Sequence, residues 1–327
     1  MNFLKTAHLQ VLKAAAIGLV AACGLLAGAD SASAAAITLG SASTYGVLLG
    51  NSQTMTFGGG FNLTGNLGLG TSSTLNISGS NAITGSAYID GSYSRSGSGT
   101  ATVSGGITTQ SMSTAISNAL TASTTAGAAT ATAGLTDQGG SISITSGNSL
   151  TIKALTNASE NILDISSLSL TSGTLTFDDN GFTGAKFIVN VTGAFSIGTS
   201  GSVKSLIQGI NGASAADIIF NIEGTGSTVS LTGANSTSMI GTILAPSRNV
   251  TVGGNGTLTG ALIAGVKSGG SYTLATQSTG FNITDYAYKP QAISSNTPEP
   301  SSMAILSAGV AGLAAVRRRR NKKNQTQ

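Results

Sequence analysis

The sequence predicts an all-β fold, an irregular right-handed β-solenoid with one flanking α-helix, on the basis of two observations. Short segments alternate aliphatic residues with Ser or Thr, as at Ile142 and Ile144 or at Leu168 and Leu170. This period of two turns the aliphatic side chains inward and the hydroxyls outward. The segments follow one another after about five to twelve residues rich in Gly, Asn and Ser, which is too short for helical crossovers. A β-sandwich remains the alternative, because it also contains short strands between turns.

The predicted body extends from residue 35 to residue 290, and a polar linker from 291 to 296 follows it. Its first part, from Ile37 to Gly106, contains short β-branched and aliphatic segments between glycines. The same pattern returns from Ser141 onward. Both parts therefore predict strands that bury one apolar face.

One segment between these two parts has a helical period. Met112, Ile116 and Leu120 lie four residues apart in an Ala-rich stretch without Pro. We expect a helix over about 111–133. Its narrow apolar stripe predicts that it packs along the side of a sheet.

The first 34 residues have the pattern of a signal peptide. Lys5 and Lys13 precede an apolar stretch from Ala14 to Ala29, which predicts a signal helix. Ala32 and Ala34 then supply a small-x-small cleavage pattern, so we expect residues 1–34 to be removed. The alternative is a lipoprotein acylated at Cys23.

The segment 297–320 combines three features of a processed tail. Pro298, Glu299 and Pro300 form a rigid break, because each proline fixes its φ and lacks a backbone donor. The apolar run 303–316 would span roughly 21 Å as a helix, less than the hydrocarbon core of about 30 Å. Four consecutive arginines follow this run, namely Arg317, Arg318, Arg319 and Arg320. A basic and polar tail, 321–327, comes after them.

This layout resembles the PEP-CTERM sorting signal. The resemblance implies processing by an exosortase and delivery to the surface or extracellular matrix of a Gram-negative bacterium. The body would be left outside, with the arginines on the cytoplasmic side. Contact with the membrane would then be transient, through the C-terminal segment. An ordinary C-terminal membrane anchor is the alternative.

Removal of both ends changes the charge of the protein. The whole chain has a formal net charge of +4, but residues 35–300 contain seven Lys or Arg and ten Asp or Glu, a net of −3. This charge gives no support to nucleic-acid binding. His8 and Cys23, the chain's single histidine and single cysteine, are also lost. We therefore expect no disulfide, no cofactor, no metal site built on His or Cys, and no catalysis.

Several segments of the body resemble two known exported domains. Residues 217–222, 241–246 and 258–264 look like the late part of the choice-of-anchor A domain. Residues 39–50 and the Ala-rich helix look like the bacterial ice-binding-like domain. Together the resemblances cover about residues 37–285. They imply an adhesive, exported domain built as a discontinuous β-solenoid with a helix alongside it.

Ice binding would need a regular outward array of Thr on one face. Thr174 and Thr176, and Thr257 and Thr259, form two such pairs, but the sequence shows no sustained ladder.

Three other segments are candidate sites. Residues 178–181, Asp-Asp-Asn-Gly, could hold calcium, but they lack the remaining ligands of a calcium loop, and an Asx turn is the favoured interpretation. The segment 254–260 has the wrong spacing and no Lys for a phosphate loop. Tyr272, Tyr286 and Tyr288 would form a sugar-stacking edge or, as we prefer, cap the last solenoid coil.

The sequence therefore predicts an exported, non-catalytic surface or matrix protein, adhesive or structural in exopolysaccharide or biofilm matrix. Its expected partners are an exosortase and exopolysaccharide or other surface polymers. One alternative is ice binding by a Thr/Ser-rich face. A second is a glycan-processing enzyme that uses a pair of carboxylates among Asp164, Asp178, Asp179 and Glu223.

Overall fold

The computed structural model describes residues 36–290 except 146, 158, 199–203, 233–236 and 277–279. The predicted signal helix, the linker, the sorting segment and the basic tail lie outside these residues. Within the described residues, no helix is long and apolar enough to cross a membrane.

The described chain contains 27 strands and one α-helix. In chain order they are β1 Val47–Leu49, β2 Thr54–Phe57, β3 Asn62–Thr64, β4 Leu67–Leu69, β5 Thr74–Ile77, β6 Ser80–Ile83, β7 Ala87–Ile89, β8 Ser94–Ser96, β9 Thr100–Val103, β10 Ile107–Thr109, α1 Ser113–Ala128, β11 Ser141–Thr145, β12 Ser149–Lys153, β13 Asn161–Ile165, β14 Ser167–Thr171, β15 Thr174–Asp178, β16 Phe187–Val191, β17 Phe195–Gly198, β18 Leu206–Ile210, β19 Ile218–Ile222, β20 Val229–Leu231, β21 Ser238–Ile240, β22 Thr242–Ala245, β23 Val250–Val252, β24 Thr257–Gly260, β25 Leu262–Ala264, β26 Thr273–Thr276 and β27 Asn282–Asp285. Short 3-10 turns occupy Gly40–Thr44 and Ala215–Asp217.

The strands form three parallel sheets of nine strands each, which are the three sides of a β-solenoid. Sheet A has the order β10-β7-β4-β1-β25-β22-β19-β16-β13, sheet B the order β11-β14-β17-β20-β23-β26-β2-β5-β8, and sheet C the order β12-β15-β18-β21-β24-β27-β3-β6-β9. The predicted solenoid with one flanking helix is therefore confirmed, and the sandwich alternative is wrong.

The stack of coils is discontinuous in sequence. The first coil, β1 to β3, pairs with the last, β25 to β27, in all three sheets. The chain reaches one end of the stack at β10, and α1 then returns it toward the other end. A helix of 16 residues advances about 24 Å, or about five strand spacings.

The first coils have a strict repeat that the sequence analysis did not detect. Val47, Leu67, Ala87 and Ile107 occupy one register position in successive strands of sheet A, 20 residues apart each time. The later coils are irregular, with register offsets such as 26 residues from Asn161 to Phe187 and 31 from Phe187 to Ile218.

The core lies inside the triangle of sheets. Four phenylalanines pack edge-to-face there, with ring centroids 5.1–5.9 Å apart; they are Phe177, Phe187, Phe195 and Phe220. A second apolar cluster lies outside sheet A, where Ala115, Ala119 and Ala122 of α1 cover Ile188 and Ile219. The strands of sheet A beneath α1, such as β16 and β19, are thus buried on both sides, and small residues on α1 allow the close approach.

The helix begins and ends within the expected segment. Asp90 Oδ2 accepts a hydrogen bond from the Met112 N–H at 2.9 Å, at the N-terminus of α1. At the other end Ala129 is extended, and Thr132 then bonds the edge of β13 through two hydrogen bonds with Ile162. Residues 129–133 are therefore outside the helix because they close the end of sheet A.

Candidate binding surface

The outward side of sheet B, called face B below, carries a continuous row of small side chains, all of them polar except Ala275. Its central column crosses all nine strands, and every member is exposed or half-buried. The column is Ser143, Ser169, Ser196, Ser230, Thr251, Ala275, Thr56, Asn76 and Ser96. Seven of these nine residues are hydroxyl residues, and none is charged. Neighbouring members are about 4.8 Å apart, the spacing of paired strands.

Hydroxyl groups also lie on both sides of this column. Thr273, Thr54, Thr74 and Ser94 are consecutive in register on one side. Thr145 and Thr171 are paired on the other side. Face B is therefore an extended array of hydroxyls on a rigid sheet.

The central column contains two Thr, Thr56 and Thr251, so it is a mixed row of hydroxyls rather than a Thr ladder, and the sequence did not reveal it. The members of the column lie far apart in the chain, as Thr56 and Ala275 do, so the row exists only after the coils have stacked. In sequence, seven of the nine strands contribute one Ser or Thr to the column, and each looks like any solvated β-residue.

The two Thr pairs found in the sequence lie on sheet C and do not form one ladder. Between Thr174 and Thr257 the register column passes through Leu206 and Ser238. An aliphatic residue thus interrupts the row. Face B is the more regular of the two exposed sides.

The third side, sheet A, carries a buried amide network beneath α1. Asn221 Nδ2 donates to Asn190 Oδ1 at 2.9 Å, and Asn190 Nδ2 donates to Asp164 Oδ1 at 2.8 Å. The helix joins through Ser123 Oγ, which donates to Asn221 Oδ1 at 2.6 Å, and through the Ala126 carbonyl, which accepts from Asn190 Nδ2 at 2.8 Å.

This network contains two of the candidate carboxylates. Asn221 Nδ2 also contacts Glu223 Oε1 at 3.3 Å, so two amides connect Asp164 to Glu223. Burial, and then the nearby Asp164, raise the pKa of Glu223. The side-chain amides of Asn190 and Asn221 lie between the two carboxylates in this hydrogen-bonded network, and they also bond α1 to the sheet. We therefore assign this pair to packing, and it gives the glycosidase alternative no support.

The other two candidate carboxylates form turns. Asp178 Oδ1 accepts from the Asn180 N–H and from Asn211 Nδ2, both at 2.8 Å, which is the Asx turn favoured from the sequence. These bonds, the Asn211 contact foremost, lower the pKa of Asp178. Burial raises the pKa of Asp179, which is fully buried and accepts from the Gly184 N–H at 3.2 Å. Among the described residues, no three His, Cys, Asp or Glu side chains group as metal ligands would.

The three tyrosines do not cap a coil, and that prediction is wrong. The last coil lies inside the stack, between β22 to β24 and β1 to β3, so it has no free end. Tyr288 is 1% exposed in the cluster beneath α1, whereas Tyr286 is 47% exposed on the side of sheet C. The segment 254–260 includes β24 and is followed by β25 rather than by a helix.

The predicted processing residues lie outside the described part of the chain. They are Ala32, Ala34, Cys23, Pro298, Glu299, Pro300, Arg317, Arg318, Arg319 and Arg320.

The fold and face B define a discontinuous β-solenoid with a hydroxyl-rich outer side, and the comparisons place this chain among known families. Residues 18–273 match the model of the ice-binding-like adhesive domain, and residues 296–320 match the PEP-CTERM protein-sorting motif. The chain therefore belongs to the ice-binding-like adhesive domain family. Its sorting motif directs export and exosortase-dependent surface localisation. A search of curated proteins gives no match.

Several solved structures are similar to this chain. An ice-binding protein from an Antarctic biological consortium is 22% identical, with a TM-score of 0.49, over 79% of this chain and 93% of that chain. An ice-binding protein from the ascomycete Antarctomyces psychrotrophicus is 21% identical, with a TM-score of 0.46, over 76% and 98%. An ice-binding protein domain of Shewanella frigidimarina is 18% identical, with a TM-score of 0.42, over 77% and 98%.

Proposed function

We propose that this protein is an adhesive component of the cell surface or exopolysaccharide matrix and binds its target through face B. The observation that carries the proposal is the nine-strand column of small, uncharged side chains. Each hydroxyl contributes little by itself, since a net hydrogen bond is worth about 1 kcal/mol. Many of them on one rigid sheet lose little entropy on binding and act together.

The chemistry of face B suits an extended partner that repeats hydroxyl groups. The column contains no charge that would favour an ionic polymer. The sorting motif delivers the protein to the place where exopolysaccharide is found. A neutral polysaccharide is therefore the target class that we propose.

A direct test is adhesion of the mature secreted protein to purified exopolysaccharide. Thr251→Arg places a long, charged side chain in the middle of the column and is expected to reduce binding at least severalfold. Ser117→Arg adds the same side chain to the exposed surface of α1 and serves as the control. Equal binding by wild type and Thr251→Arg, or no binding by the wild type, would contradict the proposal.

Ice binding is the second candidate, and the four consecutive Thr and Ser residues on one side of face B favour it. They are Thr273, Thr54, Thr74 and Ser94. The measurements are thermal hysteresis and inhibition of ice recrystallisation by the same variants. If the wild type shows neither effect, ice binding is excluded, and the proposal of an adhesive function is unaffected.

A further inference from the structure

Sheet C opens between β18 and β21. The strands β15 and β18 share five register pairs, but β18 and β21 share one, Leu206 with Ser238, and β21 and β24 share three. The strands therefore separate beyond Leu206, and a shallow groove of about 430 Å³ lies there. We call it the β18–β21 groove; its lining includes Leu206, Gln208, Ser238, Ile240, Thr259 and Tyr286.

One wall of the groove is a turn held in place from below. Asn211 and Gly212 have positive φ angles of 56° and 117°, which reverse the chain directly after β18. Asn211 is fixed by Asp178, and Asp217 accepts from the Ser214 N–H at 2.8 Å.

A buried ion pair supports this wall. Lys186 Nζ pairs with Asp217, and both side chains are about nine-tenths buried. The Asp178 turn and the Asp217 pair thus keep the groove open before any ligand arrives. A preformed site of this kind binds at a lower cost in entropy.

The lining combines aromatic, aliphatic and neutral polar groups. Tyr286 is 47% exposed, and the partly exposed Leu206 and Ile240 extend the apolar surface beside it. Gln208, Ser238 and Thr259 bring an amide and two hydroxyls to the same surface. No Asp, Glu, Lys or Arg is among the described residues that line it.

This combination matches the surface of a sugar ring. A pyranose has apolar C–H faces that stack on an aromatic ring, and hydroxyls at its edge that bond to amides and hydroxyls. The volume lies within the range of about 300–1,000 Å³ that small-ligand sites occupy. Lys289 Nζ lies over one face of the Tyr286 ring, 5.7 Å from its centroid, so a sugar would stack on the other face; Lys289 is not among the residues that line the groove.

A row of hydroxyls continues from the groove across the next strands. Thr259 is in register with Thr284, and Thr284 with Thr64. The last two are exposed. A glycan chain stacked on Tyr286 would contact these hydroxyls on successive strands of sheet C.

We propose that the β18–β21 groove is a subsite for a neutral glycan chain, with Tyr286 as its stacking platform. The proposal rests on the adhesive function and adds to face B a site that selects the polymer. Face B supplies repeated weak contacts, and the groove supplies one specific contact.

The test measures binding of soluble oligosaccharides to the mature secreted protein by calorimetry. Cellohexaose and maltohexaose are the neutral probes, and an oligogalacturonate is the anionic one. Tyr286→Ala is expected to weaken binding of the neutral probe about tenfold, as loss of an aromatic contact would. Tyr286→Phe keeps the ring and is expected to bind within about twofold of wild type.

A second measurement does not depend on a variant. In the wild type, the bound oligosaccharide should shift the amide resonances of Gln208, Ser238 and Thr259. No binding of either neutral probe, wild-type affinity of Tyr286→Ala, shifts confined to other residues, or preference for the anionic probe would overturn the proposal.

The face-B variant separates this proposal from the adhesive function. Thr251→Arg is expected to lose adhesion to polysaccharide while it binds the oligosaccharide as wild type does. If adhesion depends on Thr251 but no oligosaccharide binds, the groove proposal fails alone. If Tyr286 controls oligosaccharide binding but Thr251→Arg adheres normally, the role of face B fails alone.

Discussion

At the scale of single residues, Arg248 shows how backbone carbonyls hold a buried charge. The side chain is 2% exposed, and its guanidinium donates to the backbone carbonyls of Thr192, Glu223, Gly224 and Ser227 at 2.5–3.0 Å. Burial lowers the pKa of Arg248. These four carbonyls belong to the corners that join sheets A and B, so one side chain fixes neighbouring coils.

We expect Arg248→Met to reduce the free energy of unfolding by about 2–4 kcal/mol, because several buried carbonyls lose their donor. Urea denaturation measures the change. Arg95→Met is the control, since Arg95 is exposed and donates to one carbonyl, that of Gly99. If Arg248→Met lowered the free energy of unfolding only as much as Arg95→Met does, the role assigned to Arg248 would be contradicted.

Asp285 makes stability depend on pH. Burial raises the pKa of this carboxyl to about 6, against a hydrogen bond from the Ala287 N–H that lowers it. The folded state thus holds the proton more tightly than the unfolded chain, whose Asp has a pKa of about 3.9. The resulting stability is fully present below about pH 4 and is lost as the pH rises through about 6.

The corresponding variant is Asp285→Asn, which removes this titration. The difference in Tm between variant and wild type should shift in favour of the variant between pH 4 and pH 7. Thr284→Asn, at the exposed neighbouring position, should keep the wild-type pH dependence. A constant difference in Tm for Asp285→Asn across this range would show that the expected titration is absent.

At the scale of elements, α1 is the cover of sheet A. Its buried positions are mostly alanines, because larger side chains would hold the helix away from the amide network that joins Ser123 to Asn221. The Met112, Ile116 and Leu120 stripe identified the helix, and Met112 and Ile116 are indeed buried. The alanine face, which makes the close contact, looked in the sequence like general Ala richness.

Ala119 has no exposed surface, so Ala119→Leu would overpack this interface. We expect a loss of about 1–3 kcal/mol in the free energy of unfolding, measured by urea denaturation. Thr121→Leu, on the exposed side of α1, should change stability by less than about 0.5 kcal/mol. Wild-type stability of Ala119→Leu would mean that the helix packs loosely.

At the scale of the whole molecule, the β13 end of the stack is closed by side chains. There Gln138 bonds the strand edge as another strand would. Its Nε2 donates to the Ile162 carbonyl at 2.6 Å, and its Oε1 accepts from the Asp164 N–H at 3.0 Å. Leu135 covers the core at this end. Closure of an edge in this way protects a β-solenoid against pairing with other chains.

The sorting motif leads to a prediction about the mature chain. We expect the secreted protein to begin at Ala35 and to lack Arg317, Arg318, Arg319 and Arg320. Its formal charge would then be negative instead of the +4 of the full chain. Intact-mass spectrometry of the extracellular fraction measures both ends. A secreted species that retains the arginines would contradict the predicted processing.

Much of the fold followed from local pattern, and much of the candidate site did not. Ile142 and Ile144, or Leu168 and Leu170, point inward as their alternation predicted. The column of face B was missed because its neighbours come from distant coils. Tyr272, Tyr286 and Tyr288 are close in sequence, but of these three tyrosines only Tyr286 lines the groove.

The sequence by itself determined which side of each strand is buried, because successive side chains on a strand point to opposite sides. It also determined the export address, since that signal is a contiguous segment. Only the tertiary structure decided which strands are neighbours, because α1 reverses the stacking and brings residues such as Thr56 and Ala275 together. The hydroxyl column and the β18–β21 groove both depend on this long-range pairing, which no local pattern specifies.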